Sequence, residues 1–199
     1  DVPIVQQASM NWLHSHTHGK TAQQTYKGLA GVLLVEDEAS LDADLPNTYG
    51  VDDFVLVLQD KAFDAAGRMT YALTGEVFED GFQGDTMVIN GAIAPAVQTV
   101  PTGLVRLRIL NGCNARFLEL SMETGPITVI ASDGGFLSSP VEAESILMSP
   151  GERYEVLVDM GAAASNALNV NLDGDGGGFL ANLFGGNGAT PVLTLTRTD

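Results

Sequence analysis

The chain lacks several features that define common functional classes. It has a single cysteine, Cys113, so no disulfide can form within it. No apolar run approaches the roughly 18 to 20 residues that a membrane-spanning helix needs. The first residues, Asp1 to Ile4, show neither the basic nor the apolar segment of a signal peptide. We therefore expect no membrane span and no signal peptide in this chain.

Positive charge is also scarce. There are 9 lysine and arginine residues against 25 aspartate and glutamate residues, so the formal net charge is −16. This balance repels phosphate backbones and anionic membrane surfaces, and we expect neither nucleic acid nor a membrane as a partner. It is compatible with cationic partners such as metal ions, although an acidic surface more often serves solubility.

Apolar residues are plentiful and fall in short runs. They make up 45% of the 199 residues, which is enough for a sizeable core. Strand-like runs occur at residues 32–35, 54–58, 104–110, 117–122, 127–131, 153–159, 168–172 and 192–197. Turn-forming Asn-Gly, Asp-Gly and Pro-Gly pairs separate them. The pattern predicts an all-β sandwich or barrel, with one short helix from Thr21 to Tyr26.

Composition divides the chain into three parts. Residues 39–53 are acidic, aperiodic and interrupted by Pro46, which is typical of an interdomain linker. Residues 1–38 hold about two strands, too few for a core of their own, whereas residues 54–199 suit one complete sandwich. The glycine-rich stretch 174–188 predicts a loop. Asp173 to Gly176 resembles the start of a calcium loop but lacks the later oxygen ligands, so we interpret it as an ordinary loop.

The three histidines, His14, His16 and His18, lie at alternate positions beside Trp12. On a strand, side chains at that spacing share one face about 6.5 to 7 Å apart. Imidazoles at that distance suit two adjacent metal ions better than one, with the remaining ligands supplied from elsewhere. Imidazole favours copper, zinc, iron or nickel, and the spacing alone does not choose among them.

Around these histidines the sequence resembles the second copper-binding segment of multicopper oxidases, in the motifs W-L-H-S-H-T-H-G-K-T at residues 12–21, G-L-A-G at 28–31 and V-E-D at 35–37. Further motifs resemble the middle domain of the bacterial copper-efflux and laccase-like oxidases: Y-G-V-D-D at 49–53, Q-D-K at 59–61, G-D-T at 84–86, N-G-A at 90–92, R-L-R at 106–108, L-N-G-C-N-A-R at 110–116, A-S-D-G-G at 131–135 and G-E-R-Y-E-V-L-V at 151–158.

The resemblance implies a cupredoxin-like Greek-key fold, with the end of one such domain before the linker and a complete copper-free domain after it. It implies four coppers in the parent protein, a type 1 site and a trinuclear type 2/type 3 cluster. His14 and His16 would each bind a different type 3 copper, while His18 and Trp12 would lie behind the ligands. The other copper ligands would come from the remaining domains of the same oxidase.

The resemblance also implies the reaction and the compartment. Such oxidases couple oxidation of cuprous ion or phenol-like donors to the reduction of O2 to water, and they serve copper resistance in the periplasm. One alternative is a non-catalytic periplasmic scaffold, since a cell-division protein of this superfamily has lost its copper ligands. Another is a simple copper-binding module. Retention of His14 and His16 favours the oxidase.

Two other groups of residues are interpreted as structural. Cys113 has no histidine after residue 18 to complete a blue copper site, so we expect a small buried residue. Arg106 and Arg108 alternate with apolar residues, and together with Arg116 we expect them to form ion pairs on a strand face or at a domain interface.

Overall fold

The structure is a computed structural model that describes residues 3–72, 75, 80–171 and 189–198. Two short helices are described, α1 (Thr21–Tyr26) and α2 (Glu38–Asp42). The strands in chain order are β1 (Ser9–His14), β2 (Ala30–Val35), β3 (Asp53–Phe63), β4 (Met69–Thr70), β5 (Thr86–Ile89), β6 (Ala92–Ile93), β7 (Ala96–Val100), β8 (Leu104–Asn111), β9 (Leu118–Met122), β10 (Ile127–Ser132), β11 (Gly135–Ala143), β12 (Ile146–Met148), β13 (Arg153–Asp159), β14 (Ser165–Asn171) and β15 (Thr190–Arg197). The all-β prediction is confirmed.

Strands β3 to β15 form a two-layered sandwich. In the described residues one sheet has the order β11-β10-β13-β8-β3-β5-β6, with β4 beside β3, and the other has the order β12-β9-β14-β15-β7. The layers bury a common core that includes Leu107 and Ile109 from the first sheet and Leu120, Leu168 and Leu195 from the second. The predicted turn at Asp133 and Gly134 joins β10 to β11, where Ser132 pairs with Gly135.

The first 37 residues contribute a separate antiparallel hairpin, β1 with β2, in which Met10 pairs with Leu34 and His14 with Ala30. The helix predicted from Thr21 to Tyr26 is confirmed as α1, between these strands. A second helix, α2, begins at Glu38 and extends into the segment interpreted as a linker, which the sequence pattern did not reveal. Asp37 begins it, because its carboxylate accepts from the Ser40 amide and the Ser40 hydroxyl accepts from the Asp37 amide.

Strand β8 is buried on both faces, because its arginines are buried as deeply as the apolar residues with which they alternate. Arg106 and Arg108 are each 3% exposed. The Arg106 Nε donates to Glu155 at 2.8 Å, and the Arg108 guanidinium donates to both oxygens of Asp53, at 2.8 Å from Nε and 2.6 Å from Nη2. Strand β8 lies between β3 and β13, which carry these two carboxylates. The predicted ion pairing is therefore confirmed, in the interior of the fold.

Two sequence interpretations fall outside the described residues. These are the glycine-rich loop at 174–188 and the segment Asp173 to Gly176. Among the helices that the structure describes, none is long and apolar enough to cross a membrane.

The buried pair between Asp53 and Arg108 predicts a large stability effect. Asp53→Asn keeps the shape of the side chain but removes its charge, leaving a buried guanidinium short of a partner. We expect the free energy of unfolding to fall by about 3 to 5 kcal/mol, measured by chemical denaturation. The control is Asp64→Asn, because Asp64 pairs with an Arg68 side chain that is 81% exposed. A loss in Asp53→Asn no larger than in the control would contradict the assignment.

Candidate metal site

The β1–β2 hairpin is attached to the sandwich through the guanidinium of Arg153. Its Nε donates to the Met10 carbonyl at 2.9 Å, and its other nitrogens donate to the carbonyls of Gly151 at 3.1 Å and Asp133 at 3.0 Å. The carboxylate of Asp133 lies 2.8 Å from Nη1. Met10 itself is 1% exposed. The planar fork of arginine suits such a cluster of acceptors, and it ties β1 to the turn that precedes β13.

A second attachment lies at the end of α1. Tyr26 is 1% exposed, and its hydroxyl accepts from the Ala62 amide at 2.8 Å. The ammonium of Lys61 donates to the Tyr26 carbonyl and lies 4.4 Å from the centre of the Tyr26 ring. Burial lowers the pKa of Lys61, although the charge of Asp60 opposes that shift. The segment between His14 and Thr21 is therefore held at both ends by contacts to the sandwich.

The histidines do not lie on one continuous strand, which corrects the expectation from their spacing. Strand β1 ends at His14, His16 lies in the irregular segment that follows, and His18 lies in the turn before α1. The Ser15 hydroxyl accepts from the Thr17 amide at 3.3 Å, and the Ser15 amide donates to Leu29 at 3.2 Å. The bond from Ser15 to Leu29 extends the pairing by one residue beyond β1, and at Thr17 the backbone amide bonds to the Ser15 hydroxyl instead.

The structure still brings His14 and His16 close together. Their ring centres lie 6.1 Å apart with planes inclined at 36°, and both side chains are exposed. The Nδ1 atom of His14 lies 2.9 Å from the Ser15 carbonyl. Because a carbonyl only accepts, this contact assigns the proton of a neutral ring to Nδ1 and leaves Nε2 free as a ligand atom.

The imidazoles of His14 and His16 are ligands of a type that binds copper, but two imidazoles are too few to complete a copper site. Neutral imidazole is a suitable ligand for copper. In the part of the chain that the structure describes, however, no three side chains of histidine, cysteine, aspartate or glutamate are grouped so as to hold a metal ion. Any ion held by His14 or His16 therefore needs ligands from outside these residues.

Trp12, placed behind the ligands by the family resemblance, contacts His14 directly. The two rings are stacked, with centres 4.2 Å apart and planes inclined at 22°. His18 is exposed. The role of Trp12 and His18 beside a metal remains a prediction.

Cys113 lies in a buried polar cluster. Its thiol is 3.9 Å from the Leu58 carbonyl, and its amide donates to Asn111 at 3.0 Å. Nearby, Arg116 Nε donates to Asp60 at 3.0 Å, so the ion pair expected for this arginine is confirmed. Burial, reinforced by the charge of Asp60, raises the pKa of the Cys113 thiol well above its usual range. The expected small buried cysteine is confirmed.

A two-layered β-sandwich of this topology is found in proteins of the cupredoxin class. The family model described as multicopper oxidase matches residues 51–175. This chain therefore belongs to the multicopper oxidase family.

Solved structures confirm the cupredoxin-like fold. CueO, a laccase-like multicopper oxidase from the lignin-degrading bacterium Ochrobactrum sp., superposes with a TM-score of 0.87 at 38% identity, over 99% of this chain and 42% of that chain. The multicopper oxidase McoA from Aquifex aeolicus superposes with a TM-score of 0.84 at 33% identity, over 99% of this chain and 43% of that one.

Curated proteins that are similar to this chain are named for cell division and not for oxidation. The cell division protein FtsP of Escherichia coli is 48% identical over 160 residues, which is 80% of this chain and 33% of that protein. FtsP of Edwardsiella tarda is 43% identical over 197 residues, 98% of this chain and 40% of that protein. The chain thus spans between a third and two fifths of the length of these relatives.

The burial of Cys113 predicts an unreactive thiol. In the folded chain, alkylation by iodoacetamide at neutral pH is expected to be far slower than for an exposed cysteine, because burial disfavours the thiolate that reacts. The measurement is the mass shift of the protein over time. The same chain in guanidinium chloride serves as control and should be modified rapidly. Equal rates in the two conditions would show that Cys113 is accessible.

Proposed function

We propose that this chain supplies two copper ligands, His14 and His16, to a multicopper oxidase. The observation that carries the proposal is the exposed pair of imidazoles 6.1 Å apart at the end of β1. The contact from His14 Nδ1 to the Ser15 carbonyl supports it, because it leaves the opposite ring nitrogen available. By family resemblance, each imidazole would serve a different copper ion of the type 3 pair.

The rest of the site would come from the parts of the parent protein that lie outside this chain. Bound copper would supply the electron transfer from a reducing substrate, cuprous ion or a phenol-like donor, to O2. The residues of this chain would hold and orient ligands. The residues 54–199 would form a copper-free domain, linked through residues 39–53 to the domain that ends with the hairpin. A periplasmic location and a part in copper resistance belong to the same proposal.

A second candidate function is a structural role without oxidase activity. The observation that favours it is the 48% identity to a protein named for cell division. The fold is compatible with both functions, because this chain is similar both to multicopper oxidases and to FtsP. The two candidates differ in whether His14 and His16 bind copper.

Copper content of histidine variants discriminates between them. In the full-length protein, His14→Ala and His16→Ala are each expected to lower the copper retained per chain and to abolish O2 consumption with a cuprous or phenolic donor. Each substitution removes a ligand, and an incomplete set binds weakly. Copper is measured by elemental analysis after dialysis, and O2 uptake with an oxygen electrode.

Lys20→Ala is the matched control, because Lys20 is likewise exposed on the same segment and has no proposed role beside the copper. It should retain copper and activity. If all three variants retained the copper content of the original protein, the ligand assignment would be wrong. A full-length protein that binds no copper would favour the structural role.

A further inference from the structure

The turn before β13 reaches the copper-ligand segment through one aromatic ring. A Cβ atom placed on Gly151 would lie 3.6 Å from the nearest carbon of the Trp12 indole, so the bare backbone of this turn is in close contact with that ring. The same indole is stacked on His14, with ring centres 4.2 Å apart. A continuous set of contacts therefore runs from Gly151 through Trp12 to His14.

The turn is a rigid support for that ring. The Gly151 amide donates to the Asn111 carbonyl at 2.8 Å, and the Glu152 amide donates to Ser149 at 3.1 Å. The Glu152 carboxylate in turn accepts from the Ser149 amide at 2.6 Å. Gly151 has a φ of 89°, a conformation that favours glycine. The surface presented to Trp12 is thus fixed by the sandwich.

Arg153 lies two residues after Gly151, and it fixes the backbone of β1, the strand that carries Trp12 and His14. Its Nε bonds the carbonyl of Met10, while the rest of its guanidinium is occupied by the carbonyls of Gly151 and Asp133. A guanidinium with several acceptors around it has little freedom to move. Strand β1 is therefore held to this turn by a side chain as well as by the stacked ring.

We propose that Arg153 and Trp12 are positioning residues that orient the His14 imidazole for copper. Arg153 sets where β1 lies, Trp12 sets the plane of the ring, and the Ser15 carbonyl sets which nitrogen faces outward. The inference rests on the proposed role of His14 as a ligand. It gives the copper-free sandwich a direct part in the metal site, since ligands held in place by their surroundings bind metal more tightly.

The test measures copper affinity in the full-length protein by competition with a chelator. Trp12→Leu removes the stacked ring, and Arg153→Met removes the hydrogen bonds but keeps a long side chain. We expect each to weaken copper binding by about tenfold or more. Trp12→Phe keeps an aromatic face and should lose much less than Trp12→Leu. Arg68→Met is the control for removal of an arginine, because that side chain is 81% exposed.

A double-mutant cycle separates positioning from general stability. If Trp12 and Arg153 act through His14, each substitution should have little further effect on copper affinity in a His14→Ala background. The same loss in both backgrounds would overturn the proposal, as would wild-type affinity in Trp12→Leu. Trp12 is only half-buried, so we expect both Trp12 variants to fold. They still test the proposal if Arg153→Met fails to fold.

The single variant His14→Ala distinguishes this inference from the proposed function. If His14→Ala binds copper as tightly as the original protein, the ligand assignment fails and the positioning role fails with it. If His14→Ala loses copper while Trp12→Leu and Arg153→Met do not, His14 remains a ligand and the positioning role alone is wrong.

Discussion

Burial of two arginine–carboxylate pairs is the constraint on which the sandwich depends. Arg106 and Arg108 lie on β8, and their partners Glu155 and Asp53 lie on the strands to either side. A buried charge without a partner is strongly destabilising, so only a register that joins each pair is acceptable. A shift of one residue would point the arginines into the apolar core. The two ion pairs thus fix the register of β3, β8 and β13. The turn that contacts the hairpin comes directly before β13.

Many motifs that carry the family resemblance serve this internal architecture. Asp60, Asn111 and Arg116 all bond buried partners. The family match covers residues 51–175, whereas His14 and His16 lie before it. Membership of the family therefore rests mainly on groups that hold the fold together, and it does not by itself establish copper chemistry. The chemistry depends on the short histidine segment outside the matched region.

Sequence patterns predicted α1 and eight of the strands, because alternation and turn chemistry are local, but they did not predict β5, β7, β11 or β12. They missed α2, since five helical residues show no period and the signal was the capping pair Asp37 and Ser40. They also placed the histidines on one strand, whereas β1 ends at His14 and the backbone after it is irregular. The support of the site could not be predicted, because Arg153 reaches Met10 across 143 positions of sequence. Such contacts follow only from the assembled sandwich.

The way the hairpin is held bears on how one fold serves both oxidases and proteins named for cell division. Arg153 donates to the Met10 carbonyl and Lys61 donates to the Tyr26 carbonyl, so the histidine segment is tied to the sandwich on both sides. Exposed imidazoles contribute little to stability, and their loss would leave the fold intact. Under the proposed function, loss of the two imidazoles would therefore remove copper binding and leave the sandwich folded. The proposed copper ligands would then decide which of the two candidate functions a chain with this fold performs.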